Sequence, residues 1–126
     1  MEEAIHEALE KDLLIDITTS GRKTGMEHRK EVAFHYLDGK VYVTGRPGRR
    51  SWYANLLAKP EFIFHIKQSL QRDVPATAIP ITDQAHRCWV FQKMKDVEGE
   101  RMQHLDVKEW TLKSPLVEVE LELSFG

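Results

Sequence analysis

The sequence predicts one antiparallel β-barrel domain with helices packed outside it. Three observations carry this. About six short runs have strand character, Asp38-Gly39 separates two of them as a hairpin turn, and no regular strand–helix–strand alternation occurs. A chain of 126 residues is enough for one core and too short for two.

The elements follow in order. Glu2 to Lys11 reads as a short helix with Ala4, Ile5, Ala8 and Leu9 on one stripe. Leu13 to Thr19 is a β-branched apolar run, ended by the turn-forming Ser20-Gly21. After a polar loop, Val32, Phe34 and Tyr36 alternate with Ala33, His35 and Leu37 as a strand, and Val41 to Gly45 returns as its hairpin partner. A second glycine loop, Gly45 to Gly48, precedes a helix from Arg50 to Lys59. Tyr53, Leu56 and Leu57 form its apolar stripe, and Pro60 closes it. Phe62 to Lys67 and Val74 to Ile81 are further strands, and Pro75 and Pro80 suggest an edge or a bulge in the second. Thr82 or Asp83 can cap a long helix with Ala85, Cys88, Phe91 and Met94 inward. Gly99 interrupts that helix, and Asp106 starts one more turn through Trp110. In the last strand Val117, Val119, Leu121 and Leu123 alternate with Glu118, Glu120 and Glu122.

Composition narrows the function. Hydrophobic residues make up 41% and charged residues 30%, the balance of a soluble globular protein. No apolar run approaches the roughly 20 residues that span a bilayer, and the acidic N-terminus lacks a targeting core. The single cysteine, Cys88, fits a reducing compartment, so a cytoplasmic location is expected. The net charge of −2 is uneven: eight Lys or Arg residues face three acids between Ser20 and Arg50, whereas eight acids face three bases from Asp96 onward. A basic zone on a slightly acidic protein points to a small anionic ligand, and the acidic last third argues against nucleic acid.

Two loops carry that expectation. In Thr18-Thr19-Ser20-Gly21-Arg22-Lys23-Thr24-Gly25, glycines allow a tight turn while hydroxyls and amides face an oxyanion. Arg22 offers a planar fork, Lys23 a point charge, and His28 and Arg29 follow closely. The spacing is not that of a Walker loop. The bland alternative is an exposed basic hairpin. In Gly45-Arg46-Pro47-Gly48-Arg49-Arg50-Ser51-Trp52-Tyr53-Ala54-Asn55, a glycine loop meets a helix N-terminus that favours negative charge. Trp52 gives a flat face to an aromatic ring and Asn55 a polar edge. Here the alternative is a core tryptophan among solvated arginines.

The string TTSGRKTG, followed by the DG hairpin and then SWYANLLAKPEF, resembles the deazaflavin-dependent nitroreductase and quinone reductase family. The resemblance covers about residues 12–67, with 114–117 also similar. It implies a split β-barrel, usually a homodimer, that transfers a hydride from a reduced deazaflavin, coenzyme F-420, to a quinone, nitroaromatic or enone-like acceptor. Related split barrels bind FMN, haem or tetrapyrrole-like ligands, so an FMN enzyme or a non-catalytic carrier is the alternative. By the resemblance, Ser20, Arg22, Lys23 and Thr24 hold the phosphate and acidic tail, with His28 and Arg29 nearby. Val32 and Ala33 lie along the ring, Gly45, Arg46 and Arg50 pass close to it, and Trp52 and Asn55 shape the pocket. This chain has His28 where the family often has arginine, Glu31-Val32 where it has a Pro-Leu pair, and Arg50-Ser51 where it has His-Pro. The hydride chemistry belongs to the cofactor, so no side chain is assigned as catalytic.

The remaining candidates point elsewhere. The six histidines have no compact metal spacing, and neither Ser20 nor Ser51 sits in a nucleophile elbow. Cys88 reads as a core residue, and His35 and His65 as satisfied barrel histidines.

Overall fold

The computed structural model describes residues 2–123. In chain order they form α1 (Glu3–Lys11), β1 (Leu14–Ser20), β2 (Glu27–Leu37), β3 (Lys40–Thr44), α2 (Ser51–Ala58), β4 (Glu61–Ile66), β5 (Arg72–Pro80), α3 (Gln84–Glu98), a 3-10 segment (Gly99–Met102), α4 (Val107–Lys113) and β6 (Leu116–Leu121). The strands close into an antiparallel barrel in the order β1-β2-β3-β6-β5-β4. Closure is made by β1, where Ile15 lies opposite Val32 on one side and Ile66 on the other. This is the split-barrel arrangement expected from the sequence.

Alternation fills the barrel. Ile15, Ile17, Phe34, Val43, Phe64, Ala76 and Val119 form one buried cluster, joined by Ile5 and Leu9 of α1 and by Trp52 and Leu56 of α2. Phe34 and Phe64 meet edge to face with centroids 6.0 Å apart. A second cluster lies outside the barrel wall, where Leu37 and Tyr42 pack against Val90, Phe91 and Met94 of α3 and against Trp110. The hairpin turn has positive φ at both Asp38 and Gly39, the geometry that matches the twist of the flanking strands.

Four expectations are corrected. Strand β2 begins at Glu27 rather than Val32, because residues 27–31 pair with β1 although both faces are exposed. Ladder bonds are made by the backbone, so a polar hairpin extension shows no apolar alternation.

Strand β5 is not an edge, since it pairs with both β4 and β6. Its prolines are tolerated because their missing donors face gaps. Pro75 is aligned with Glu122, just past the end of β6, and accepts its N–H at 2.8 Å. The Ala78 N–H reaches Pro60 O, so Pro80, two residues on, faces the side where β4 has not begun.

On α3, Ala85 and Cys88 are exposed, and the buried face is Arg87, Val90, Phe91 and Met94. The stripe is rotated because an inward arginine finds carbonyl partners there. On α2, Leu57 is exposed, while Trp52, Asn55 and Leu56 are buried.

Both barrel histidines are hydrogen-bonded: His35 to Glu98 at 2.6 Å, and His65 to Thr18 and Asp73, each at 2.7 Å. Asp83 caps α3 and Asp106 caps α4 through their side chains. Among the described residues no helix is long and apolar enough to cross a membrane.

One surface network ties β1, β2 and β4 together. Asp16 accepts from Lys67 at 2.7 Å and from Arg29 at 3.0 Å, and Lys67 also reaches Glu31. The bond from Lys67, more than that from Arg29, holds the Asp16 carboxyl below its usual range. A lowered folded value means that this stabilisation is complete above the unfolded value, about 3.9. It is lost as pH falls through the lower folded value. Asp16→Asn is expected to unfold at lower urea than the wild-type protein at pH 7, with a smaller gap when the comparison is repeated at a pH below the ordinary aspartate value of about 3.9. A gap of the same size at both pH values would show that charge is not its cause.

Candidate functional site

The glycine loop after β1 is shaped by its own backbone. Gly21 N–H donates to Met26 O at 2.7 Å, and Gly25 N–H to Gly21 O at 2.8 Å, with Gly25 at φ +74°. The loop closes tightly on Gly21, where an added Cβ would lie 3.0 Å from His28 Nε2 and 3.2 Å from Met26 O. Glycine is favoured at 21 by close approach, since a side chain there would have to push its neighbours aside, and at 25 by the left-handed backbone.

A buried amide fixes this loop to α2. Asn55 is 4% exposed. Its Oδ1 accepts from the Arg22 backbone N–H at 3.3 Å and from Arg22 Nη1 at 3.1 Å, while its Nδ2 donates to Thr19 Oγ1 at 3.1 Å. All the polar atoms of the amide are engaged, and the Arg22 guanidinium is aimed by one of them.

Between loop and helix lies a cleft of about 550 Å³. The β1–β2 hairpin extends over α2, so Thr19, His28 and Lys30, which share one strand face, look toward Ser51, Trp52 and Asn55. Arg22, Lys23, Arg29 and Lys30 contribute to the lining, and no Asp or Glu does. Of the four cations only Arg29 has an acid partner among the described residues. Three cations without an acid partner and no acid in the lining leave the cleft net positive, a setting that favours an anion. Trp52 is 5% exposed and meets Tyr53 edge to face, so it serves both as core anchor and as cleft wall.

Of the residues expected from sequence, the structure brings Arg22, Lys23, Thr24, His28, Arg29, Trp52 and Asn55 together in this cleft. Ser20 borders a separate recess beside Glu27 and Glu61. Val32 belongs to the barrel core, and Ala33 is half-buried beside it. Gly45, Arg46 and Arg50 lie in the loop before α2. There Arg50 donates to Arg49 O at 2.9 Å and to Arg46 O at 3.0 Å, so its guanidinium shapes the loop.

Sequence reasoning missed Lys30. Reading the alternation backward from Val32 through Lys30 to His28 would have found it.

A second, larger cleft of about 700 Å³ opens on the other side of α2. It was not foreseen. Pro47, Gly48, Arg49 and Tyr53 form one wall, and Leu112, Lys113, Ser114 and Pro115 another. Gly48 N–H donates to Lys113 O at 3.2 Å, joining the two walls.

Comparison with known proteins adds a lineage. Residues 2–109 match the family model described as F420H(2)-dependent quinone reductase. Three solved structures share the fold. A FAD-binding protein from Mesorhizobium loti has 12% identity and a TM-score of 0.71, with 98% of this chain and 91% of that one covered. An F420 reductase has 14% identity and a TM-score of 0.66, covering 98% and 97%. An F420-H2 dependent reductase has 23% identity and a TM-score of 0.58, covering 85% and 93%. No curated protein sequence matches the chain.

The geometry makes Asn55 testable on its own. Asn55→Ala strips the buried Thr19 hydroxyl and the Arg22 amide of a partner, and is expected to cost about 1–3 kcal/mol of stability. Urea unfolding reads this directly. A loss well under that range would show that water replaces the amide without penalty.

Proposed function

The chain belongs to the F420H(2)-dependent quinone reductase family, and on that premise we propose that it is an oxidoreductase using coenzyme F-420 to reduce a small organic acceptor of the quinone, nitroaromatic or enone type. The observation that carries this reading is the acid-free cationic cleft beside α2. A cofactor with a phosphate and an acidic tail needs such a site, and an exposed basic hairpin would not close one against a buried tryptophan.

The residues divide the work. Arg22, aimed by Asn55, gives phosphate a two-pronged donor, and Lys23 adds a point charge. Thr24, His28, Arg29 and Lys30 surround the tail. At Ser51 the first turn of α2 presents unsatisfied N–H groups on the same side, where negative charge is favoured. Trp52 supplies the aromatic wall, and Gly45 and Arg46 are assigned to the ring end. Ser20, Val32, Ala33 and Arg50 act through the backbone and loop shape that hold this arrangement. Bound and reduced, the cofactor supplies the hydride, which is why the cleft needs no catalytic base. The acceptor approaches from the larger cleft, which shares the start of α2. A homodimer in the cytoplasm is part of the proposal; the dimer's support is the resemblance to the family.

Fluorescence titration tests the cofactor. Saturable binding of F-420, with FMN at least tenfold weaker, is expected; preference for FMN would keep the fold and replace the cofactor. Arg22→Ala with Lys23→Ala is expected to weaken F-420 binding by on the order of 2–4 kcal/mol, allowing for non-additive loss of charge-assisted bonds. Unchanged affinity in that folded variant would remove the loop from the site.

A further inference from the structure

The larger cleft has a chemistry that neither its neighbour nor the family name accounts for. At its base is Arg87 of α3, 6% exposed and with no acid partner among the described residues. Its guanidinium donates to the carbonyls of Thr111 (2.7 Å), Ile81 (3.0 Å), Trp110 (3.2 Å) and Ser114 (2.5 Å). These bonds use four of the five N–H groups of an arginine and leave one, on Nη1, without a protein acceptor. Burial pushes this guanidinium below its usual value, as expected for a charge lacking a full counter-charge. The carbonyls at the end of α4 offset part of it.

Further groups in the cleft are unspent. Ser114 is 5% exposed, lines the cleft, and its Oγ has no hydrogen-bond partner. Buried hydroxyls are seldom left unpaired, because each costs the desolvation of a polar group. Lys113 and Arg49 also line the cleft, and neither has an acid within 4.0 Å among the described residues. Glu109 is the single acid of the lining, so three cations against one acid leave a net charge of +2. Apart from Thr82 and Gln84, the other side chains of the lining are largely apolar: Pro47, Tyr53, Ile81, Pro115, and Leu112, a residue 62% exposed. A free cation pair, a spare buried donor and an unpaired hydroxyl call for an anion. Apolar walls around about 700 Å³ call for an organic body attached to it.

We propose that this cleft binds a small aromatic or conjugated carboxylate, its anionic group taken by Lys113, Arg49 and the spare donors of Arg87 and Ser114, and its body lying against Tyr53 and Leu112. As the seat of the reductase's acceptor the cleft rests on the function proposed above, and it narrows the acceptor to an anionic class. As a binding site it stands on the cleft alone.

The test is calorimetric titration of the full chain with two matched probes, 4-nitrobenzoate and its methyl ester, with and without F-420. The carboxylate is expected to bind at least tenfold tighter than the ester. Arg49→Gln with Lys113→Gln is expected to erase that preference while F-420 affinity stays within twofold, and Ser114→Ala to weaken the carboxylate severalfold with no loss of thermal stability. Equal binding of acid and ester by the wild-type protein, or a preference that survives the double variant, overturns the proposal. If F-420 fails to bind but the carboxylate preference is present and is lost in the double variant, the cofactor reading falls and the cleft assignment stands. If F-420 binds and the preference is absent, the cleft assignment falls alone.

Discussion

The candidate site depends on one buried amide. Asn55 projects from α2 into the seam between that helix and the end of β1, and both polar atoms of its amide are engaged, Nδ2 by Thr19 and Oδ1 by Arg22. Because Thr19 belongs to a strand of the closed barrel and Leu56, the next residue of α2, to the barrel core, the amide connects two rigid bodies rather than two loops. The glycine loop thereby inherits the rigidity of the barrel. An arginine on a free hairpin would lose several rotatable bonds' worth of entropy on gripping a ligand, whereas Arg22 is held in part beforehand.

Closure of the barrel explains where a ligand can go. Six strands leave an interior filled by Ile15, Ile17, Phe34, Phe64 and their neighbours, with no room for a cofactor. With no free strand edge to bind along, recognition moves to the rim, where β1 and β2 run on beyond the apolar core as a polar hairpin. The same residues that look uninformative as a strand, Glu27 to Glu31, are the ones that make the overhang and hence the first cleft.

Much of this was legible in the chain because local chemistry dictates it. Asp38-Gly39 suits the positive φ that both positions of a two-residue hairpin turn take, the alternation at Val117 to Leu121 belongs to a strand with one wet face, and Asp83 and Asp106 are natural helix caps. Seven of the thirteen residues expected at the ligand met in one cleft, because two of the loops' segments flank a single helix. What was not legible depended on partners distant in sequence. Arg87 turns inward and Cys88 outward because carbonyls at Ile81, Trp110, Thr111 and Ser114 converge on one point. Periodicity counts apolar residues and has no term for such a convergence. The prolines of β5 mislead for a related reason: their missing donors are harmless only because neighbouring strands end beside them.

Two positive clefts on a chain of net charge −2 set a further condition. Trp52 faces one and Tyr53 the other, as consecutive residues about 100° apart on a helix must. Anions bound on both sides of so thin a partition would repel one another if nothing lay between them. The segment leading into the partition carries Arg46, Arg49 and Arg50, and Arg50 folds back onto the carbonyls of the other two. That leaves cationic charge at the start of α2 with no acid within 4.0 Å among the described residues, the sign that would lessen such repulsion. Glu118 and Glu120 sit on β6 and line neither cleft, so these two charges do not directly oppose an anion there. Of the eight acids from Asp96 onward only Glu109 lines either cleft, so the basic zone read along the sequence sets its cations around α2 against little opposing charge.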